Sequence, residues 1–154
     1  MATQGQGARI SDILSTELGA YEVSRVSMDG PDVFLSAKLA MTMALLVHEL
    51  ATNAAKYGAL SSPAGKLSIG WSLSTRTLML DWRESNGPTV ASPTHQGFGL
   101  RLISRALDQF HGTAQTTFES SGLICKIKVD LIESTPTVRP DAGNAPAASL
   151  DPVA

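Results

Sequence analysis

Hydrophobic residues recur at two different intervals along the chain, and the change of interval outlines the secondary structure. Between residues 36 and 57, apolar side chains recur every three or four positions, which predicts a long helix. Ser36 is suited to cap its N-terminus, and Gly58 stands where the helix should end. Shorter apolar stripes of the same period predict helices over residues 11–21 and 100–110.

Alternation of apolar and polar residues predicts strands, most of them in consecutive pairs. The predicted strands are 23–28, 33–35, 66–73, 78–82, 113–119 and 123–131. The last four form two hairpins around short polar turns. A Rossmann-type layout fits poorly, because no Gly-x-Gly-x-x-Gly stands between a strand and a helix. We therefore predict an α+β two-layer sandwich, with a mixed, largely antiparallel sheet and helices on one face.

Composition divides the chain into one globular segment between two less structured ends. The 154 residues, 43% of them hydrophobic, suffice for one domain with its own core. Residues 134–154 are rich in Pro, Ala, Gly and Ser and lack periodicity, and residues 1–8 are polar and rich in glycine. We expect a linker at 1–8, a domain over 9–133, and a disordered tail or linker at 134–154.

Charge and cysteine content exclude several classes of partner. The net charge is −2 and no basic stripe is visible, which argues against a nucleic-acid partner. A lone cysteine, Cys125, excludes an internal disulfide and suits a reducing compartment, and we expect it to be a small buried hydrophobic residue. No apolar run approaches the roughly 20 residues needed to span a bilayer. We therefore expect a cytoplasmic segment with no membrane contact of its own.

The predicted long helix carries an acid, an amide and an amine on one face. Glu49, Asn53 and Lys56 are separated by four and three residues, so they lie on the same side of a helix. An amide oxygen is a hard ligand for Mg²⁺, and a lysine is a point charge for phosphate. This combination suits a magnesium–triphosphate site. Taken alone, such a row is more typical of a solvated helix face.

Two glycine-containing turns could approach a ligand with bare backbone. Glu84 ends a predicted strand, and Asn86 and Gly87 follow it with residues that tolerate positive φ. An acid in that position can accept a hydrogen bond from an exocyclic amine such as that of adenine. The sequence Gly97-Phe98-Gly99 opens a predicted helix, where free N–H groups can hold phosphate. Each feature alone could be an ordinary surface turn.

Taken in order, these stretches resemble the motifs of the GHKL ATPases, which have the Bergerat fold. The segment 48–58 resembles their N box, and it is most similar to that of the HWE subgroup of histidine kinases. The triplet Trp82-Arg83-Glu84 resembles the Trp-x-Glu motif of the same subgroup. The segment 97–103 resembles its phosphate loop. The resemblance spans about residues 9–132.

The resemblance implies ATP as the nucleotide and Mg²⁺ as its metal ion. Asn53 would ligate Mg²⁺, Glu49 would act as general base or orient the acceptor imidazole, and His48 would support the N box. Glu84 would take the role of the adenine-binding acid, which is aspartate in most of these proteins. The other residues implied to bind the nucleotide are Lys56, Tyr57, Asn86, Gly87, Gly97, Phe98, Gly99 and Leu100.

The chain departs from the subgroup's pattern at two points. Asn86-Gly87 stands where the subgroup usually has two glycines, and we expect the turn to survive because asparagine readily adopts a left-handed conformation. The loop between Pro88 and Gly97 is short. Any lid over the bound nucleotide should therefore be small.

The function implied is that of the ATP-binding catalytic domain of a bacterial two-component sensor histidine kinase. The γ-phosphoryl group would pass to a histidine on the dimerisation helices of the parent kinase, and from there to a response regulator. Residues 1–35 hold neither a long helix nor a histidine, so this chain should bind ATP without phosphorylating itself. Two alternatives remain open: an anti-sigma-type regulator, with or without serine kinase activity, and a degenerate ATPase domain used as a scaffold.

Overall fold

The structure is a computed structural model that describes residues 7–21, 23–88 and 98–132; for residues 98–100 and 102 it describes the backbone. Its elements are β1 (Ala8–Arg9), α1 (Ile10–Leu18), β2 (Val26–Asp29), β3 (Phe34–Leu35), α2 (Ala37–Lys56), β4 (Lys66–Ser74), β5 (Thr77–Ser85), α3 (Phe98–Ala106), β6 (Thr113–Glu119) and β7 (Gly122–Asp130). Short 3₁₀ turns occur at Val23–Arg25, Ala59–Ser61 and Leu107–Phe110.

Five strands form one mixed sheet in the order β2-β4-β5-β7-β6. β2 runs parallel to β4, whereas the other neighbours are antiparallel. Both predicted hairpins are present, β4 with β5 and β6 with β7, and β1 pairs separately with β3. The predicted two-layer α+β sandwich is confirmed.

The core lies between the inner face of the sheet and the helices. The apolar stripe of α2 is fully buried, including Leu39, Met43, Leu46 and Leu50. Alternate residues of the central strands are buried against it, and the residues between them are exposed or partly exposed, as the period-two pattern predicts. Cys125 on β7 is buried, as expected, and burial raises the pKa of its thiol to about 11.

The long helix begins and ends close to its predicted bounds. The Ser36 hydroxyl accepts a hydrogen bond from the Leu39 backbone N–H at 3.3 Å, which caps the N-terminus as predicted. The helix ends at Lys56, and the Tyr57 N–H still donates to the Asn53 carbonyl. Gly58 follows with φ −112°, which is not a left-handed conformation. Backbone handedness therefore does not explain the glycine at that position.

The predicted strand at 23–28 is wrong in its first half. Val23–Arg25 forms a 3₁₀ turn and β2 begins only at Val26, with the Val23 side chain 89% exposed. Arg25 explains the difference, because its guanidinium donates to the carbonyls of Ala59, Ser62 and Gly65. These long-range hydrogen bonds favour a turn where the local pattern favours a strand.

The predicted linker and tail lie almost wholly outside the described residues. Residues 1–6 and 133–154 are not among them, so both assignments stay predictions, and β1 already begins at Ala8. Within the described ranges, no helix combines the length and the hydropathy that a membrane crossing requires.

Candidate functional site

The polar face predicted on the long helix is present in the C-terminal half of α2. Glu49 and Asn53 are half-buried there, and Lys56 is exposed. Their side chains form no hydrogen bond or ion pair within the part of the chain that the structure describes. Tyr57 follows the helix and is 47% exposed. The acid, the amide and the amine are thus presented together beside the core.

Glu84 lies at the inner face of β5 and connects that strand to the end of α2. Its Oε1 accepts a hydrogen bond from the Ala59 backbone N–H at 3.0 Å, and its Oε2 accepts one from Trp82 Nε1–H at 3.0 Å. The residue is only 5% exposed, and no other charged side chain is buried within the described ranges. A buried carboxylate needs such donors, because removal from water otherwise penalises its charge.

Burial dominates the electrostatics of this carboxylate. Desolvation raises the pKa of Glu84 above its ordinary value, while the hydrogen bonds from Ala59 and Trp82 act in the opposite direction. No cation pairs with it in the described part of the chain. A buried acid with a perturbed pKa, bonded to the segment that follows α2, is a candidate for a functional residue.

The backbone turns around Glu84 are packed so closely that side chains are excluded. A Cβ on Gly58 would collide with Glu84 Oε1, and a Cβ on Gly87 would lie 2.6 Å from the Ala59 Cα. Asn86 adopts φ 57°, the left-handed conformation expected for it. Gly122, at φ 142°, lies against the Glu84 carbonyl from the side of β7. These contacts bring the end of α2 and the turn after β5 together.

His48 is directed toward α1. Its Nδ1 lies 2.9 Å from Oε1 of Glu17, and its side chain is 66% exposed. It precedes Asn53 by five residues, which turns it about 140° around the helix from the amide. His48 therefore joins the N box helix to α1, a contact consistent with a supporting role.

The predicted phosphate loop is described only in part. Gly97 and the predicted small lid, residues 89–97, lie outside the described residues. Phe98, Gly99 and Leu100 form the first turn of α3, which starts two positions before the predicted helix. α3 packs against α2, so its N-terminal turn belongs to the layer that carries Asn53.

A separate concave region of about 650 Å³ lies on the opposite face of the sheet. Its polar lining includes Asp29, Asp81, Lys126 and Lys128. None of the residues predicted from the sequence lines it. It is therefore distinct from the site at the end of α2.

Three residues that the sequence did not single out as site residues hold this region together. Trp82 was named only as part of the Trp-x-Glu motif and was given no role in the site, yet its indole N–H donates to the Glu84 carboxylate. The alternation of β5 carries that signal, because residues two apart on a strand share a face. Arg25 and the Ala59 N–H gave no signal, since their partners are 25 to 40 residues away in sequence.

Comparison with known proteins finds relatives at the level of sequence. The chain is 34% identical over 146 residues to a blue-light-activated histidine kinase of Brucella ovis, an alignment that covers 90% of this chain and 29% of that protein. It is 35% identical over 128 residues to blue-light-activated histidine kinase 1 of Erythrobacter litoralis, covering 79% of this chain and 36% of that protein. No family model matches the chain.

Solved structures with the same fold come from the same class of protein. The histidine kinase domain of the Erythrobacter litoralis EL346 blue-light activated histidine kinase matches with a TM-score of 0.65 at 18% identity, covering 85% of this chain and 66% of that one. The catalytic domain of the histidine kinase ThkA matches with a TM-score of 0.63 at 15% identity, covering 79% and 92%. The anti-sigma alternative is not favoured by these matches.

Proposed function

Because the chain belongs to the histidine kinases and has the fold of their catalytic domains, we propose that it binds Mg²⁺–ATP and donates the γ-phosphoryl group to a histidine. The acceptor histidine would stand on a helical dimerisation domain of the parent kinase. The chain spans 29% of the length of its Brucella relative, so the parent's other activities and partners are part of this proposal. A response regulator would receive the phosphoryl group next.

The observation that carries the proposal is the hydrogen bond between Glu84 Oε1 and the Ala59 N–H. It joins the segment that follows the helix with the polar face to the strand end that bears the acid, and the two bonded residues are 25 positions apart in sequence. Glu84 is suited to receive the exocyclic amine of adenine, because a carboxylate has about four acceptor sites and only two have donors among the described residues.

The chemistry of the side chains on α2 fits a metal-bound triphosphate. We propose that Asn53 supplies an amide oxygen to Mg²⁺, which prefers oxygen ligands and commonly retains water and phosphate oxygens as its other ligands. Bound Mg²⁺ would neutralise charge on the phosphates. Lys56, exposed one turn further along α2, is suited to contact a phosphate, and Tyr57 lies at the edge of the same surface.

The start of α3 is suited to the phosphates themselves. Phe98, Gly99 and Leu100 occupy its first turn, where backbone N–H groups have no partner within the helix. We propose that these residues, with Gly97, hold phosphate oxygens. Asn86 and Gly87 would form the wall beside the base, because no side chain fits between Gly87 and Ala59.

Glu49 is the residue proposed to act on the acceptor. It lies one turn before Asn53 on the same face, so its carboxylate would stand beside the phosphate end of the nucleotide. From there it would accept a proton from the acceptor imidazole or hold the ring in line for attack. Such a domain would act in the cytoplasm, where its ATP is found.

Phosphoryl transfer to a supplied acceptor tests this function. The chain is mixed with a histidine-bearing helical dimerisation domain of a related kinase, and acid-labile phosphate on that domain is measured with labelled ATP. We expect transfer by the unaltered chain and at least a hundredfold slower transfer by Glu49→Gln, with ATP affinity changed less than about threefold.

The matched control is Glu119→Gln, which removes an exposed carboxylate at the end of β6. Transfer at the unaltered rate is expected for this variant. Equal rates for Glu49→Gln and the control would contradict the role of Glu49, and phosphate on serine instead of histidine would favour the anti-sigma alternative.

A further inference from the structure

Trp82 and Glu84 are neighbours on the same face of strand β5. The two residues stand two positions apart on β5, so both side chains point to the inner face of the sheet. The indole Nε1–H donates to Oε2 of Glu84 at 3.0 Å, and Trp82 is fully buried. The carboxylate is therefore fixed by a neighbour that has no exposed surface of its own.

The second donor fixes the other oxygen from a different element. Ala59 follows α2, and its N–H reaches Oε1 at 3.0 Å. With one oxygen held by β5 and the other by the segment after α2, the carboxylate plane can no longer rotate freely. Loss of the indole N–H alone would leave the plane held at a single point.

The carboxylate packs against main chain at Gly58. Gly58 lies directly against Oε1, in a position where any Cβ would meet that oxygen. Gly58 itself is partly exposed, whereas Glu84 is almost completely buried. An exocyclic amine that reaches the carboxylate from the partly exposed side of Gly58 would meet main chain and no side chain of that residue.

We propose that Trp82 is a positioning residue for base recognition: its indole N–H orients the Glu84 carboxylate so that the remaining acceptor sites receive the exocyclic amine of adenine. The inference rests on the proposed function, because it needs ATP to bind with its base at Glu84. Glu84 would contact the amine, and Trp82 would increase the selectivity for the amine without touching the nucleotide.

Selectivity between two nucleotides provides the test. ATP is compared with purine riboside 5′-triphosphate, which lacks the exocyclic amine, by titrating the complete chain with each in the presence of Mg²⁺. For the unaltered protein we expect about a tenfold or greater preference for ATP, the size of one hydrogen bond to a charged group. For Trp82→Phe we expect that ratio to fall at least about threefold, because the carboxylate has lost its second point of attachment.

The chain offers a closely matched control in its other tryptophan. Trp71 is also buried on an inner face, and its Nε1–H donates to the Pro31 carbonyl at 2.7 Å, not to Glu84. Trp71→Phe removes an indole hydrogen bond of the same kind and should leave the preference for ATP unchanged. A general loss of stability would affect both variants and both nucleotides alike.

A spectroscopic measurement on the unaltered chain covers the case in which Trp82→Phe does not fold. The sequence has two tryptophans, so a nitrogen–proton correlation spectrum contains two indole signals, which Trp71→Phe assigns. ATP should shift the Trp82 signal more than the nucleotide without the amine does, and the Trp71 signal should respond equally to both. Equal shifts of the Trp82 signal would overturn the inference.

The possible failures are distinguishable. If the unaltered chain binds neither nucleotide, the proposed function fails. If it binds both with equal affinity, or if Trp82→Phe keeps the full preference, nucleotide binding stands and the positioning role of Trp82 is wrong.

Discussion

The carboxylate of Glu84 is the buried charged group of the candidate site. Glu84 has no cationic partner among the described residues, and it is stabilised instead by two N–H donors. Each donor comes from a group that is itself fixed, one on β5 and one beside α2. A residue with this environment is costly to bury, so its presence indicates a role beyond packing.

The raised pKa of Glu84 makes the stability of the fold depend on pH. Because the pKa is higher in the folded chain than in the unfolded one, the folded state binds the proton more tightly. This contribution to stability is complete below the ordinary glutamate pKa, and it is lost as the pH rises through the folded pKa. Glu84→Gln cannot titrate and lacks this dependence.

Urea unfolding of both proteins over a series of pH values from 4.5 upward measures the effect. The free energy of unfolding of the unaltered chain, minus that of Glu84→Gln, should decrease with rising pH. A difference that is constant, or that increases, would show that the folded environment does not raise this pKa.

At the scale of elements, the junction between α2 and β5 is made by backbone packing against backbone. Gly87 stands so close to Ala59 that an added Cβ would lie 2.6 Å from its Cα and 2.9 Å from its nitrogen. Neither atom can rotate away as a side chain could. The turn after β5 therefore has one position relative to the helix, and glycine is what permits it.

Gly87→Ala should destabilise the fold by about 1–3 kcal/mol, because the added methyl group forces the two turns apart. Gly70→Ala is the control. A Cβ there would lie 3.7 Å from the Asp29 carbonyl, an ordinary contact, so the change should be neutral or slightly stabilising. Urea unfolding compares the two, and equal stabilities would refute the close packing of the junction.

The elements that the sequence predicts well are those whose signal is local. Residues only a few positions apart in sequence predict the apolar stripe of α2, its Ser36 cap and both hairpins. The structure has these features nearly as expected. The strand predicted at 23–28 fails because Arg25 bonds to carbonyls 34 to 40 residues away. No local pattern records such contacts.

In the candidate site too, features with a local sequence signal could be predicted, and those that depend on long-range contacts could not. That Glu49, Asn53 and Lys56 share a face could be predicted from helix geometry, and the left-handed turn at Asn86 from its side chain. The hydrogen bond from Ala59 to Glu84 could not, because any residue other than proline has the same backbone N–H. The sequence likewise could not predict that Gly58 has no room for a side chain, because that follows only from the packing of Glu84 on β5 against the end of α2.

At the scale of the whole molecule, the sandwich separates a buried inner face from a polar outer one. The helices cover the inner face, and the candidate site lies where the end of α2 meets the turn after β5, with α3 packed against α2 in the same layer. The same fold occurs in solved histidine kinase catalytic domains. Under the proposed function, this layer of helices would present the nucleotide to a partner domain.

Calorimetric titration of the chain with ATP, with and without Mg²⁺, tests the central claim most directly. Mg²⁺ should tighten binding to the unaltered chain, and Asn53→Ala should weaken the Mg²⁺-dependent binding by about tenfold or more. Thr42→Ala, on the same helix but bonded to the Lys38 carbonyl, should bind as the unaltered chain does. Equal affinities of Asn53→Ala and the unaltered chain, or no binding of ATP by either, would contradict the account.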